Sequence, residues 1–121
     1  MRVMLIEDDE LVRTVLCDVL GAEGIEVDGL SNAEDALILL GAGQVPDVLV
    51  TDVHLGEGLD GFDLAELARS RHPKVGVILI SGAGPAPERR ALGPQQRFLH
   101  KPFDPAALAA AIRESAPAQG L

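Results

Sequence analysis

An α/β fold, a five-stranded parallel sheet with helices on both faces, follows from three features of the sequence. Short apolar runs alternate with helical patterns along the whole chain, as in strand–helix–strand units joined by right-handed crossovers. Three of the runs, residues 3–6, 48–51 and 77–80, are apolar on both faces. Strands read that way when helices cover both sides of a parallel sheet. At 121 residues, 47% of them apolar, the chain fits one compact domain over residues 1–121 with ample material for one core.

The elements follow in order. Run 3–6 leads into a helix in which Leu11, Val12, Val15, Leu16, Val19 and Leu20 recur at helical spacing on one face, with Gly21 and Gly24 as stop signals. Run 26–30 is mixed in character and reads as an edge strand. Ser31 with Glu34 three residues later forms a capping box. It opens a helix carrying Ala33, Ala36, Leu37 and Leu40 that closes at Gly41 and Gly43. After run 48–51 comes a helix holding Leu64, Ala65, Leu67 and Ala68, which ends before Pro73. Run 77–80 is followed by Gly82, Gly84, Pro85, Pro87, Gly93 and Pro94. The fourth helix is therefore expected to be short or distorted, one turn near 88–92 at best. The fifth run, 98–100, is short. A last helix starts at Asp104-Pro105, an N-cap followed by proline in the first turn. It buries Leu108, Ala111 and Ile112, and residues 116–121 read as a frayed tail. Five strands in this alternation give the flavodoxin-like order 2-1-3-4-5.

The core is aliphatic: three Phe, no Trp and no Tyr. The formal net charge of −9 argues against nucleic acid, whose phosphates are bound by clustered Lys and Arg, and against an anionic membrane surface. Only two of the ten basic residues are lysines. Cys17 stands alone, so no internal disulfide is possible. It reads as a small apolar group on the first helix. No apolar run approaches the ~20 residues of a membrane span, and residues 1–6, charged at Arg2, are too short an apolar stretch to read as a signal peptide. A cytoplasmic location is expected.

In an open parallel sheet, ligands bind beyond the carboxyl ends of the strands. The first strand ends in Glu7-Asp8-Asp9-Glu10, the third in Thr51-Asp52, the fourth in Ser81-Gly82 and the fifth in His100-Lys101-Pro102. Carboxylates, a hydroxyl and an ammonium are thus delivered to one rim. Clustered carboxylates repel one another, and a divalent cation relieves them; a few oxygen ligands with water filling the rest suit Mg²⁺. Beside such an ion, Asp52 can act as nucleophile in phosphoryl transfer. Mg²⁺, Lys101 and Ser81 can each take one phosphoryl oxygen.

Asp8-Asp9, Asp52, Ser81 and Lys101-Pro102 resemble the signature of response-regulator receiver domains, over essentially the whole chain. The resemblance implies that Asp8 and Asp9 bind Mg²⁺ (or Mn²⁺), with Asp9 as the direct ligand and Asp8 acting partly through water. It implies that Asp52 is both phosphoacceptor and ligand, and that the His54 carbonyl completes the metal site. It implies a cis Lys101–Pro102 peptide, which X-Pro bonds adopt at modest cost, and a switch pair of Ser81 and Phe98. The implied partners are a histidine kinase or histidine phosphotransfer protein and a downstream protein target, with the domain a monomer or weak dimer. Two departures bear on the output surface: Gly56 replaces the common proline in a loop one residue longer than usual, and Phe98 lacks the hydroxyl of a tyrosine. His72 and His100 read as surface residues.

The resemblance points to a switch rather than an enzyme, one that catalyses only its own phosphorylation and slow dephosphorylation. With Met1 directly before the first strand, a stand-alone receiver is expected; a module cut from a hybrid histidine kinase is the competing origin. A Mg²⁺-dependent hydrolase of haloacid-dehalogenase type would need a second Asp two residues after the nucleophile, where His54 stands. The remaining rival is an interaction module of the same fold that takes no phosphate, and Mg²⁺ binding separates it from a receiver.

Overall fold

The computed structural model describes residues 1–55, 58–82 and 96–116. Its elements run β1 (Arg2–Ile6), α1 (Glu10–Ala22), β2 (Glu26–Leu30), α2 (Ala33–Gly41), β3 (Val48–Asp52), α3 (Gly61–Arg71), β4 (Gly76–Ser81), β5 (Gln96–His100) and α4 (Pro105–Ser115). All strand pairs are parallel, in the order β2-β1-β3-β4-β5. The mixed strand β2 is an edge, as its composition implies. The stretch expected to hold the distorted helix, and all of the expected tail except Ala116, lie outside the described residues.

Side-chain alternation along the strands divides the core in two. Met4, Ile6, Leu49, Val77 and Leu79 face α2 and α3, where they meet Ala33, Ala36, Leu40, Leu64, Ala65 and Ala68. Val3, Leu5, Val48, Val50, Ile78 and Ile80 face the other way, onto Leu16 and Leu20 of α1 and Leu108, Ala109 and Ile112 of α4. Each large aliphatic buried in this way contributes about 1.5–3 kcal/mol. The small alanines of α2, α3 and α4 let the helices approach the sheet closely.

Three local expectations are corrected. Leu11 and Val15 are 73% and 49% exposed, so the buried stripe of α1 is narrower than the apolar stripe in its sequence. In α3, Leu67 is likewise exposed, at 42%. The cap of α2 is Asn32, not Ser31: Asn32 accepts from the Asp35 amide at 2.8 Å. A reciprocal capping box does occur, but in α3. There Asp60 accepts from the Asp63 amide at 2.8 Å and the Asp63 carboxylate accepts from the Asp60 amide at 3.3 Å. Gly24 and Gly43 follow α1 and α2 with φ of +81° and +86°, a left-handed conformation that only glycine adopts cheaply.

Candidate phosphoacceptor site

β3 delivers Asp52 to the carboxyl end of the sheet, where it is 7% exposed. Its surroundings are fixed by backbone. The Val53 amide donates to the Ile80 carbonyl at 2.9 Å, and the Gly61 amide to the Val53 carbonyl at 2.8 Å. A Cβ on Gly61 would run into the Asp52 carbonyl oxygen, so glycine is what lets α3 begin directly against the end of β3.

Lys101 follows β5 and is held by its amide, which donates to the Ser81 carbonyl at 2.8 Å. Its stem lies over Gly82, where an added Cβ would sit 3.2 Å from Lys101 Cδ. Nζ reaches 3.3 Å from Asp52 Oδ1, 3.5 Å from Oδ2 and 3.6 Å from Glu7 Oε2. The Lys101–Pro102 peptide is cis. Burial alone would lower the Lys101 pKa, but the charges of Asp52 and Glu7 outweigh it and hold the ammonium above its ordinary value.

Of the acidic side chains the resemblance assigns to the metal, Asp8 and Asp52 come together and Asp9 does not join them. Asp9 is spent on α1: its carboxylate accepts from the Val12 amide at 3.1 Å as the helix N-cap. Glu7 turns inward instead and is 3% exposed. Glu7, Asp8 and Asp52 each present a carboxylate oxygen, and the three oxygens lie within 4.8 Å of one another. The acidic pair at the rim is therefore Glu7-Asp8, one position earlier than Asp8-Asp9. The cue was present in the sequence, since an aspartate directly before a helical stretch is a natural cap. Burial, then the hydrogen bond and charge of Asp52, push the Glu7 carboxyl above the usual glutamate range. Three hard oxygen donors carrying an excess of negative charge fit Mg²⁺ or Mn²⁺.

A cleft of about 190 Å³ opens over Asp52 and Lys101, lined also by His54, Ile80 and Gly82. His54 is exposed on its rim. Ser81, 3% exposed, ends β4 one residue beyond Ile80, the register partner of Asp52. Phe98 is half-buried on β5 opposite Leu79, its ring 5.1 Å from that of His100. Both members of the expected switch pair thus lie on adjoining strands, and His100 is exposed as expected.

A profile of the response regulator receiver domain matches residues 3–113. The chain belongs to this family. The receiver is 36% identical over 110 residues to the response regulator protein FleR of Pseudomonas aeruginosa, an alignment covering 88% of this chain and 23% of FleR. It is 36% identical over 118 residues to the transcriptional regulatory protein FixJ of Azorhizobium caulinodans, covering 93% of this chain and 54% of FixJ. The chain therefore spans about half or less of these relatives. Among solved structures, a response regulator receiver protein from Sinorhizobium medicae superposes with a TM-score of 0.88 at 26% identity, over 95% of this chain and 93% of that one. The receiver domain of the hybrid histidine kinase CckA superposes with a TM-score of 0.78 at 29% identity, over 95% and 98% of the two chains. Among the described residues, no helix is long and apolar enough to cross a membrane.

Proposed function

We propose that this receiver accepts a phosphoryl group on Asp52 from the phosphohistidine of a kinase or phosphotransfer protein, and signals the change to a protein target. One observation carries the reading: Asp52 opens onto a cleft with Lys101 Nζ 3.3 Å from one of its oxygens and two further carboxylates beside it. An Asp52 carboxylate oxygen attacks the phosphorus in line, the P–N bond breaks, and the imidazole leaves. Lys101 is placed to neutralise charge on a phosphoryl oxygen. Glu7, Asp8 and Asp52, with the His54 carbonyl, would hold Mg²⁺, which supplies the remaining positive charge. Ser81 would donate its hydroxyl to another phosphoryl oxygen, and Phe98 would follow that movement, a local charge change biasing a two-state element. The domain acts as a switch and turns over no substrate beyond its own acyl phosphate.

Intact mass after incubation with Mg²⁺ and acetyl phosphate tests this. The parent should gain one phosphoryl, about 80 Da. Asp52→Asn should gain none, and chelation of Mg²⁺ should abolish the gain in the parent. A folded parent that stays unmodified with both acetyl phosphate and a phosphorylated histidine kinase would sink the reading in favour of a phosphate-free interaction module.

A further inference from the structure

We infer that Arg13 is a positioning residue for the cation site, acting through the peptide that joins Glu7 to Asp8. The inference rests on the phosphoacceptor reading above. Asp8 is exposed, and its carboxylate makes no hydrogen bond or ion pair among the described residues. Among the described residues, its direction follows from its backbone. The Glu7 amide is anchored, since it continues the ladder by donating to the Leu30 carbonyl at 2.9 Å. The Glu7 carbonyl lies past the end of β1, and Arg13 Nη1 donates to it at 2.8 Å. That carbonyl and the Asp8 amide belong to one rigid plane, so the guanidinium fixes the plane from which Asp8 departs.

The other end of the segment is held by α1 itself: the amide of residue 13 donates to the Asp9 carbonyl at 2.9 Å, the first bond of the helix. Between, the Asp9 amide donates to Glu7 Oε1 at 3.0 Å. Glu7-Asp8-Asp9 is thus a short bow strung between the end of β1 and the start of α1, and the guanidinium holds its first carbonyl.

Gly29 on β2 provides the room. Its φ is not in the left-handed region, so glycine is not needed there for conformation. An added Cβ would lie 3.2 Å and 3.3 Å from Cγ and Cδ of Arg13, and 2.9 Å from Cys17 Sγ. The arginine stem crosses the strand where the side chain is missing, and this crossing lets the guanidinium reach back to Glu7.

A role through charge and a role through position predict opposite signs. Removing a cation near three carboxylates would tighten Mg²⁺ binding if charge were what mattered. Loss of positioning weakens it, by roughly tenfold for a group behind a metal ligand. The experiment is Mg²⁺ titration by calorimetry of the parent, Arg13→Met and Arg13→Lys, with amide exchange at Asp9 read by NMR in the metal-free proteins. Arg13→Met should weaken Mg²⁺ about tenfold and speed Asp9 exchange by a similar factor. Arg13→Lys, which keeps a donor, should recover most of both. Should Arg13→Met not fold, Gly29→Ala displaces the same stem with the guanidinium intact, and should also weaken Mg²⁺. Unchanged or tighter binding in the folded variants would overturn the inference. A parent that binds no Mg²⁺ would instead remove the reading beneath it.

Discussion

Glu7 and Asp52 are two buried carboxylates sharing one ammonium, so in the metal-free protein the rim carries more negative charge than Lys101 can balance. The stability effect of Glu7 has a definite pH direction. Its folded pKa is raised above the unfolded value, chiefly by burial and then by Asp52. Its contribution is therefore fully present below the ordinary glutamate pKa, and is lost as pH rises through the folded value. Glu7→Gln removes this loss. In chelator, the Tm of the variant should match that of the parent at low pH and exceed it at pH 8. Added Mg²⁺ should raise the Tm of the parent and barely move that of the variant. Thermal melts at both pH values decide it, and a gap that is constant with pH would refute the assignment. Four successive acidic side chains, Glu7 to Glu10, look alike in sequence. What separates them is structural: one turns inward at the strand end, the next is exposed with a carboxylate oxygen close to those of Glu7 and Asp52, and the third caps a helix.

At the scale of the element, the start of α4 was legible to the residue, with Asp104 as cap before Pro105, whereas that of α2 was misread by one. Ser31 and Asn32 are adjacent, and each has an acidic residue three positions on, so both fit the cap pattern. The structure gives the role to Asn32. Asn32→Ala should cost about 1 kcal/mol in urea denaturation, whereas Ser31→Ala should cost a few tenths at most. Equal losses would refute the cap assignment. The breadth of the apolar stripe on α1 misled for a related reason. Successive residues on a helix are about 100° apart, so Leu11 and Val15 sit beside, not on, the line through Val12, Leu16 and Leu20. That line, with Cys17 beside it, packs on the core, while Leu11 and Val15 stay exposed.

For the molecule as a whole, the sheet order, the two-sided core and the delivery of Asp52 and Lys101 to one rim were all readable. The reason is that a strand buried on both faces leaves no polar position to confuse it, and the rim chemistry sits at its ends. Distances, the inward turn of Glu7 and the grip of Arg13 on its carbonyl depend on contacts between residues far apart in space-filling detail, which periodicity does not encode. The aliphatic core has one consequence of a different kind. With no Trp, no Tyr and three Phe, the protein is nearly dark to ultraviolet light. Phe98 stands half-buried beside His100, on the strand that leads to Lys101. A tryptophan put there by Phe98→Trp would be the sole fluorophore, its emission free of background. Acetyl phosphate with Mg²⁺ should change its intensity or colour while Asp52 is intact, and leave it unchanged in the Asp52→Asn background. The switch would then be read as light from one ring, in a molecule that otherwise emits almost none.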